Sequence, residues 1–151
     1  MSVRLSLDEA WAVVEASHTG IFTSLRRDGM PVALPIWFVV LERRVYVSGP
    51  ATAKRVARVR RDPRVSFLVE SGQRWAELRA VHLTGQARVV TEPDILARVA
   101  AALDAKYAPF RMQRAAMPAA TRAHYEVALA TIEITPDAHI LNWDNARLRR
   151  P

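Results

Sequence analysis

Between positions 20 and 90, apolar runs of strand length are separated by turns of hairpin length. Arg26-Arg27-Asp28-Gly29, Glu42-Arg43-Arg44 and Ser71-Gly72-Gln73 each join two such runs. Strands joined by so few residues must pair antiparallel, because a parallel neighbour needs a crossover of about a dozen residues. The spacing predicts strands at 21–25, 31–41, 45–48, 64–70 and about 76–90, then at 127–134 and 138–143. Pro35 marks a bulge or an edge in the second of these, and Gly85 a bulge in the fifth. Helices lie around them. Ser6-Leu7-Asp8-Glu9 is a capping box opening a helix that carries Trp11 and Val14 and ends by Gly20. Thr91-Glu92-Pro93-Asp94 opens another, which runs to about Tyr107. Residues 109–118 read as irregular and 119–125 as a short helix. The fold class is therefore mainly β, an antiparallel closed barrel with peripheral helices, in a single domain over 1–151.

Several chemistries are excluded. The longest apolar runs, such as 36–41, are far short of the roughly 20 residues a bilayer helix needs. No apolar segment follows Arg4, and there is no cysteine, so the expected compartment is the cytoplasm. Disulfides, thiolate zinc and a cysteine nucleophile are ruled out with it. His18, His82, His124 and His139 lack metal-ligand spacing, so no metal is expected. Serine-hydrolase elbows, dinucleotide fingerprints and phosphate-binding P-loops are absent. No catalytic residue can be named. An enzyme built on this chain needs a cofactor to supply its reactivity.

Charge points to an anionic partner. The formal net charge is +7, and residues 51–64 hold Lys54, Arg55, Arg58, Arg60, Arg61 and Arg64 against Asp62 alone. Val56 and Val59 recur at helical spacing within this stretch, which predicts a short helix ending before Asp62-Pro63. It follows a loop of small residues, Ser48-Gly49-Pro50-Ala51-Thr52, which is compatible with an anion site at the helix start or with a solvated basic face. No aromatic residue interrupts 55–64, so nucleic acid has no stacking platform there. Trp37 and Phe38 fall on opposite faces of the 31–41 strand. One enters the core; the other faces a planar ligand or a subunit contact.

The order and spacing of several short motifs resemble the pyridoxamine phosphate oxidase-like split-barrel family. They are Thr23-Ser24-Leu25, Asp28-Gly29-x-Pro31, Pro35-Ile36-Trp37-Phe38, Val45-Tyr46-Val47-Ser48, Lys54-Arg55 and Arg60-Arg61-Asp62-Pro63-Arg64-Val65. Arg79-Ala80-Val81-His82-Leu83-Thr84-Gly85 and the ending Ile134-Thr135-Pro136-Asp137 with Trp143-Asp144 extend the likeness over about 5–147. Within the family, the small actinobacterial members that use FMN or the deazaflavin coenzyme F-420 look most similar. The resemblance implies a six-stranded antiparallel split β-barrel with flanking helices, a homodimer, and a cofactor held between subunits. By the same resemblance, the cofactor phosphate falls to Lys54 and Arg55, with Ser48 and Thr52 nearby, and the ring to Pro35, Ile36 and Trp37. The further arginines Arg58, Arg60 and Arg61 fit the carboxylates of the deazaflavin's oligoglutamate tail, or form a solvated face. That charge favours F-420, with FMN as the alternative.

The implied activity is hydride transfer to an unsaturated or quinone-like small molecule. A flavin or haem carrier without turnover is the alternative on the same fold. Ala80 stands where pyridoxamine phosphate oxidases carry glutamine, and their Arg-Leu-His-Asp-Arg stretch is missing, so vitamin B6 oxidation is not expected.

Overall fold

The computed structural model describes residues 2–149. Helix α1 (Leu7–Ala16) begins where the capping box predicts: the Ser6 hydroxyl accepts from the Glu9 backbone at 3.2 Å, and the Ser6 backbone donates to the Glu9 carboxylate at 2.7 Å. The chain then runs through β1 (Gly20–Leu25), β2 (Pro31–Ile36), β3 (Val39–Leu41) and β4 (Arg44–Pro50). Helix α2 (Lys54–Arg61), β5 (Arg64–Ser71) and β6 (Arg79–Val89) follow. Helices α3 (Pro93–Tyr107) and α4 (Ala119–Tyr125) precede β7 (Leu129–Pro136) and β8 (Leu141–Asp144).

All strand pairs are antiparallel, in the order β2-β1-β5-β6-β7-β4-β3, with β8 added beside β6. The result is a strongly curled, mainly β half-barrel with four flanking helices. Strands β1, β2, β4, β5, β6 and β7 have six residues or more, while β3 and β8 have three and four. The sheet thus has eight strands, six of them long.

The expected closed barrel is open, and the expected long strand at 31–41 is two strands. Both corrections have one cause. The end strands β2 and β3 are not laddered to each other but are consecutive in sequence, joined by Trp37 and Phe38. The curl is closed covalently at that corner. Phe38 drives its ring into the core at 0% exposure, which takes its backbone out of the ladder. The last turn of α3 replaces the ladder: the Tyr107 hydroxyl accepts from the Phe38 N–H at 2.8 Å and lies 2.9 Å from its carbonyl. Lys106 Nζ donates to the carbonyls of Phe38 at 3.0 Å and Ser17 at 2.8 Å, and sits 3.8 Å over the Phe38 ring.

Two further expectations shift. Residues 75–77 form a 3-10 turn, so the long strand starts at Arg79. Gly85 stays in register with Val65 and is no bulge; a Cβ there would stand 2.2 Å from the Thr135 carbonyl oxygen, so its role is close approach of two strands.

The core divides around the sheet. Trp11 and Val14 of α1 and Val56 and Val59 of α2 pack with Phe22, Phe38, Phe67, Leu83, Ile132 and Ile134. Val99, Leu103 and Tyr107 of α3 cover Val39, Tyr46 and Val90. One polar row crosses three adjacent strands. Glu133 on β7 accepts from Tyr46 on β4 at 2.7 Å and from Arg88 Nε on β6 at 2.9 Å. Burial pushes the Glu133 carboxyl up, but the bonds from Arg88 and Tyr46 outweigh it and hold it below its ordinary 4.5. Burial, with the bond to Glu133, pushes the Tyr46 phenol up to about 12. No helix of the described residues is long and apolar enough to cross a membrane.

Two predictions follow from these contacts. Tyr107→Phe leaves the buried Phe38 N–H without its acceptor and should cost about 1–3 kcal/mol in urea unfolding. An unchanged midpoint would show that the corner does not depend on that hydroxyl. Glu133 has a lowered folded value, so its contribution is complete at neutral pH and is lost as acid protonates it. Glu133→Gln should therefore cost about 1–3 kcal/mol at pH 7, with the gap to the unmodified protein closing as the pH falls below the ordinary carboxyl value of 4.5. A gap independent of pH would mean that the charge of Glu133 is not what the row uses.

Candidate functional site

Helix α2 lays Val56 and Val59 on the core, which turns Arg55 and Arg58, three residues apart, toward the same flank. That flank faces the hairpin of β1 and β2. Between them is an open groove of about 400 Å³, within the range of small-molecule sites. Its wall is apolar: Phe22 from β1 and Val32, Leu34, Pro35 and Ile36 from β2. Its other side is cationic: Arg26 from the β1–β2 turn, with Lys54, Arg55 and Arg58 from α2. Among the described residues, none of these four cations is in a salt bridge.

Two of the arginines are held. Arg58 Nε donates to the Ser24 hydroxyl at 2.7 Å. The Arg55 guanidinium lies against Gly49 of β4, where a Cβ would come within 2.0 Å of Nη2. Burial lowers the basicity of Arg55, with Arg58 adding to it. Burial also lowers that of Arg58, with Arg26 and Arg61 adding to it. Like charges kept close and partly desolvated favour an anion that neutralises them.

Of the residues singled out in the sequence, Pro35, Ile36, Lys54, Arg55 and Arg58 come together in this groove. Trp37, Ser48 and Thr52 are not among its lining residues. The Trp37 ring stacks on Tyr107, with centroids 4.4 Å apart and planes 3° apart, and meets His18 edge-on at 5.8 Å. Ser48 Oγ stands 3.4 Å from the Ala130 carbonyl and 3.4 Å from the Thr131 hydroxyl, between β4 and β7. Thr52 is exposed in the turn before α2. The remaining arginines of α2 point elsewhere: Arg61 donates to the Leu25 carbonyl at 2.6 Å, and Arg60 lines a separate hollow with Arg88 and Thr91. Arg26 was not legible as a site residue, because in sequence Arg26-Arg27 is only a charged hairpin turn. The groove holds no histidine and no carboxylate, so it can bind and orient an anion but offers no proton-transfer group of that kind.

Residues 6–136 match the family model described as pyridoxamine 5'-phosphate oxidase. No curated protein sequence matches the chain. Among solved structures, a conserved hypothetical protein from Mycobacterium tuberculosis is similar, with 27% identity, a TM-score of 0.82, and coverage of 99% of this chain and 91% of that one. A FAD-binding protein from Mesorhizobium loti has 17% identity and a TM-score of 0.68, covering 91% of this chain and 94% of that one. HutZ, the haem storage protein from Vibrio cholerae, has 12% identity and a TM-score of 0.69, covering 93% and 94%. At those identities the last two share the fold. The split-barrel architecture agrees with the match over most of the chain: the protein belongs to the pyridoxamine 5'-phosphate oxidase family.

Proposed function

We propose that the groove binds the phosphate-bearing part of a flavin-type cofactor, and that the chain is an oxidoreductase delivering hydride to an unsaturated or quinone-like small molecule. One observation carries this reading: four cationic side chains without a carboxylate partner among the described residues, set against an apolar wall. A ligand with an anionic end and an apolar planar body matches both halves. Lys54 and Arg55 would hold the phosphate, and Pro35 and Ile36 would lie along the apolar part. A bound flavin or deazaflavin supplies the hydride chemistry. The residues of the groove bind it, fix its orientation and exclude water from its apolar side.

The cofactor is coenzyme F-420 or FMN. Arg26 and Arg58 add charge beyond what one phosphate needs, which favours the deazaflavin and the carboxylates of its tail. The FAD-binding structural neighbour supports a flavin-type ligand. A carrier that holds flavin or haem without turnover is the second reading, to which the haem-storage neighbour points. The groove lining has no histidine to serve haem as an axial ligand, which favours flavin as the cargo in that reading.

Charge-assisted contacts to phosphate contribute about 1.5–3 kcal/mol each, so Arg55→Ala should weaken cofactor binding about tenfold or more by fluorescence titration. Joint replacement of Arg26 and Arg58 by alanine should reduce F-420 affinity more than FMN affinity. Unchanged affinity for both cofactors in all these variants would move the site away from the groove. Turnover with a quinone under single-cofactor conditions separates the reductase from the carrier.

The chain is also read as a homodimer. Exposed Met30 and Leu34 beside the groove, with Phe110, Met112 and Leu129, leave apolar surface for a second copy. Light scattering at micromolar concentration should give twice the 16.9 kDa chain mass; a monomer would remove the shared-site arrangement.

A further inference from the structure

We propose that Ser24 and Gly49 are positioning residues of the groove: Ser24 fixes the guanidinium of Arg58, and Gly49 leaves the space that the guanidinium of Arg55 occupies. The inference rests on the groove being the anion site argued above, and goes beyond it to how two strands register the helix's charges.

Strand β1 turns Gly20, Phe22 and Ser24 inward. Phe22 joins the core, yet the next inward residue is a serine at 0% exposure. A buried hydroxyl is costly unless it is hydrogen-bonded. Its partner is Arg58 Nε at 2.7 Å. The choice of nitrogen matters. Bonding through Nε anchors the guanidinium by its inner edge and leaves both Nη groups, which make no other hydrogen bond among the described residues, for a ligand. An alanine here would fill the core equally well but would let Arg58 rotate away.

Gly49 acts by absence. It sits on β4 in register with Ala130 of β7, and its φ is not in the left-handed region, so its backbone accepts alanine. A Cβ there would stand 2.0 Å from Arg55 Nη2 and 3.3 Å from Cζ. Those atoms are the far end of a flexible side chain, so the methyl group would displace the guanidinium and leave the sheet in place. Helix α2 thus carries the charges, while β1 and β4 set where they stand. Lys54 has no comparable anchor among the described residues.

The test is a set of variants titrated with FMN and with F-420. Ser24→Ala and Gly49→Ala should each weaken binding about three- to tenfold, the loss expected for one well-placed polar contact. Gly49→Ala should keep the thermal midpoint of the unmodified protein. Ser24→Thr, which keeps the hydroxyl, should restore affinity. Ser24→Ala should add nothing in an Arg58→Ala background, and Gly49→Ala nothing in an Arg55→Ala background. If Arg55→Ala and Arg58→Ala weaken binding but Ser24→Ala and Gly49→Ala do not, the positioning role is overturned and the anion site stands. An effect of Ser24→Ala that persists without Arg58, or of Gly49→Ala without Arg55, also overturns it. If neither arginine variant alters binding, or the unmodified protein binds neither cofactor, the anion site itself fails and the positioning role with it.

Discussion

The architecture turns on a corner two residues long. A sheet that curls until its edge strands are neighbours in sequence has to change direction where no ladder can satisfy the backbone, and a buried peptide group without a partner is costly. At Trp37 and Phe38 the partner comes from α3. The Tyr107 hydroxyl and the Lys106 ammonium take the place that an opposite strand would have filled. Desolvation pulls Lys106 down to about 8, a cost accepted at the same joint. With the corner held, Phe38 can enter the core while Pro35 and Ile36, just before it, remain along the groove. The wall of the site and the closure of the barrel are therefore consequences of one set of contacts.

The charge of the groove depends on where the acids go. Seven carboxylates of the described chain pair with other arginines: Asp8 with Arg43, Glu9 with Arg147, Glu42 with Arg98, Asp62 with Arg64, Asp104 with Arg111, and Glu92 and Glu133 with Arg88. Asp62 shows the selection at short range. It ends α2 next to the basic run, yet its carboxylate folds forward onto Arg64, whose hydrogen bonds draw it down to about 2. The positive field at the groove thus has two sources: bases accumulated on α2, and acids that pair with arginines outside it.

Much of this was legible because it depends on local rules. The capping box at Ser6, the proline-led start of α3 and the stop of α2 before Asp62-Pro63 are sequence-local signals, and the structure follows them. Arg55 and Arg58 were legible because helical spacing alone places them together on one flank, beside the valines. The corner was not, since residues 31–41 read as one strand with at most a bulge at Pro35, and the hydroxyl that satisfies the broken ladder at Phe38 lies some seventy positions away. The stacking of Trp37 on Tyr107 was not legible either, because Tyr107 lies on a helix whose docking no pattern in 31–41 reveals. Arg26 and Ser24 were hidden because a turn arginine and a strand serine are ordinary until α2 is laid across them.

Strand β2 is an outermost strand, paired only to β1, and it contains Pro31 and Pro35. Four residues apart, their nitrogens face the same lateral direction, and in sheets proline sits where its missing N–H turns away from the neighbouring strand. An arriving strand would find those two donors missing, so the sheet resists growth by backbone pairing despite the exposed apolar side chains of its rim. Along that edge Ala33 alone, between the two prolines, keeps an outward donor. On this edge, association through the apolar side chains is separated from extension of the sheet.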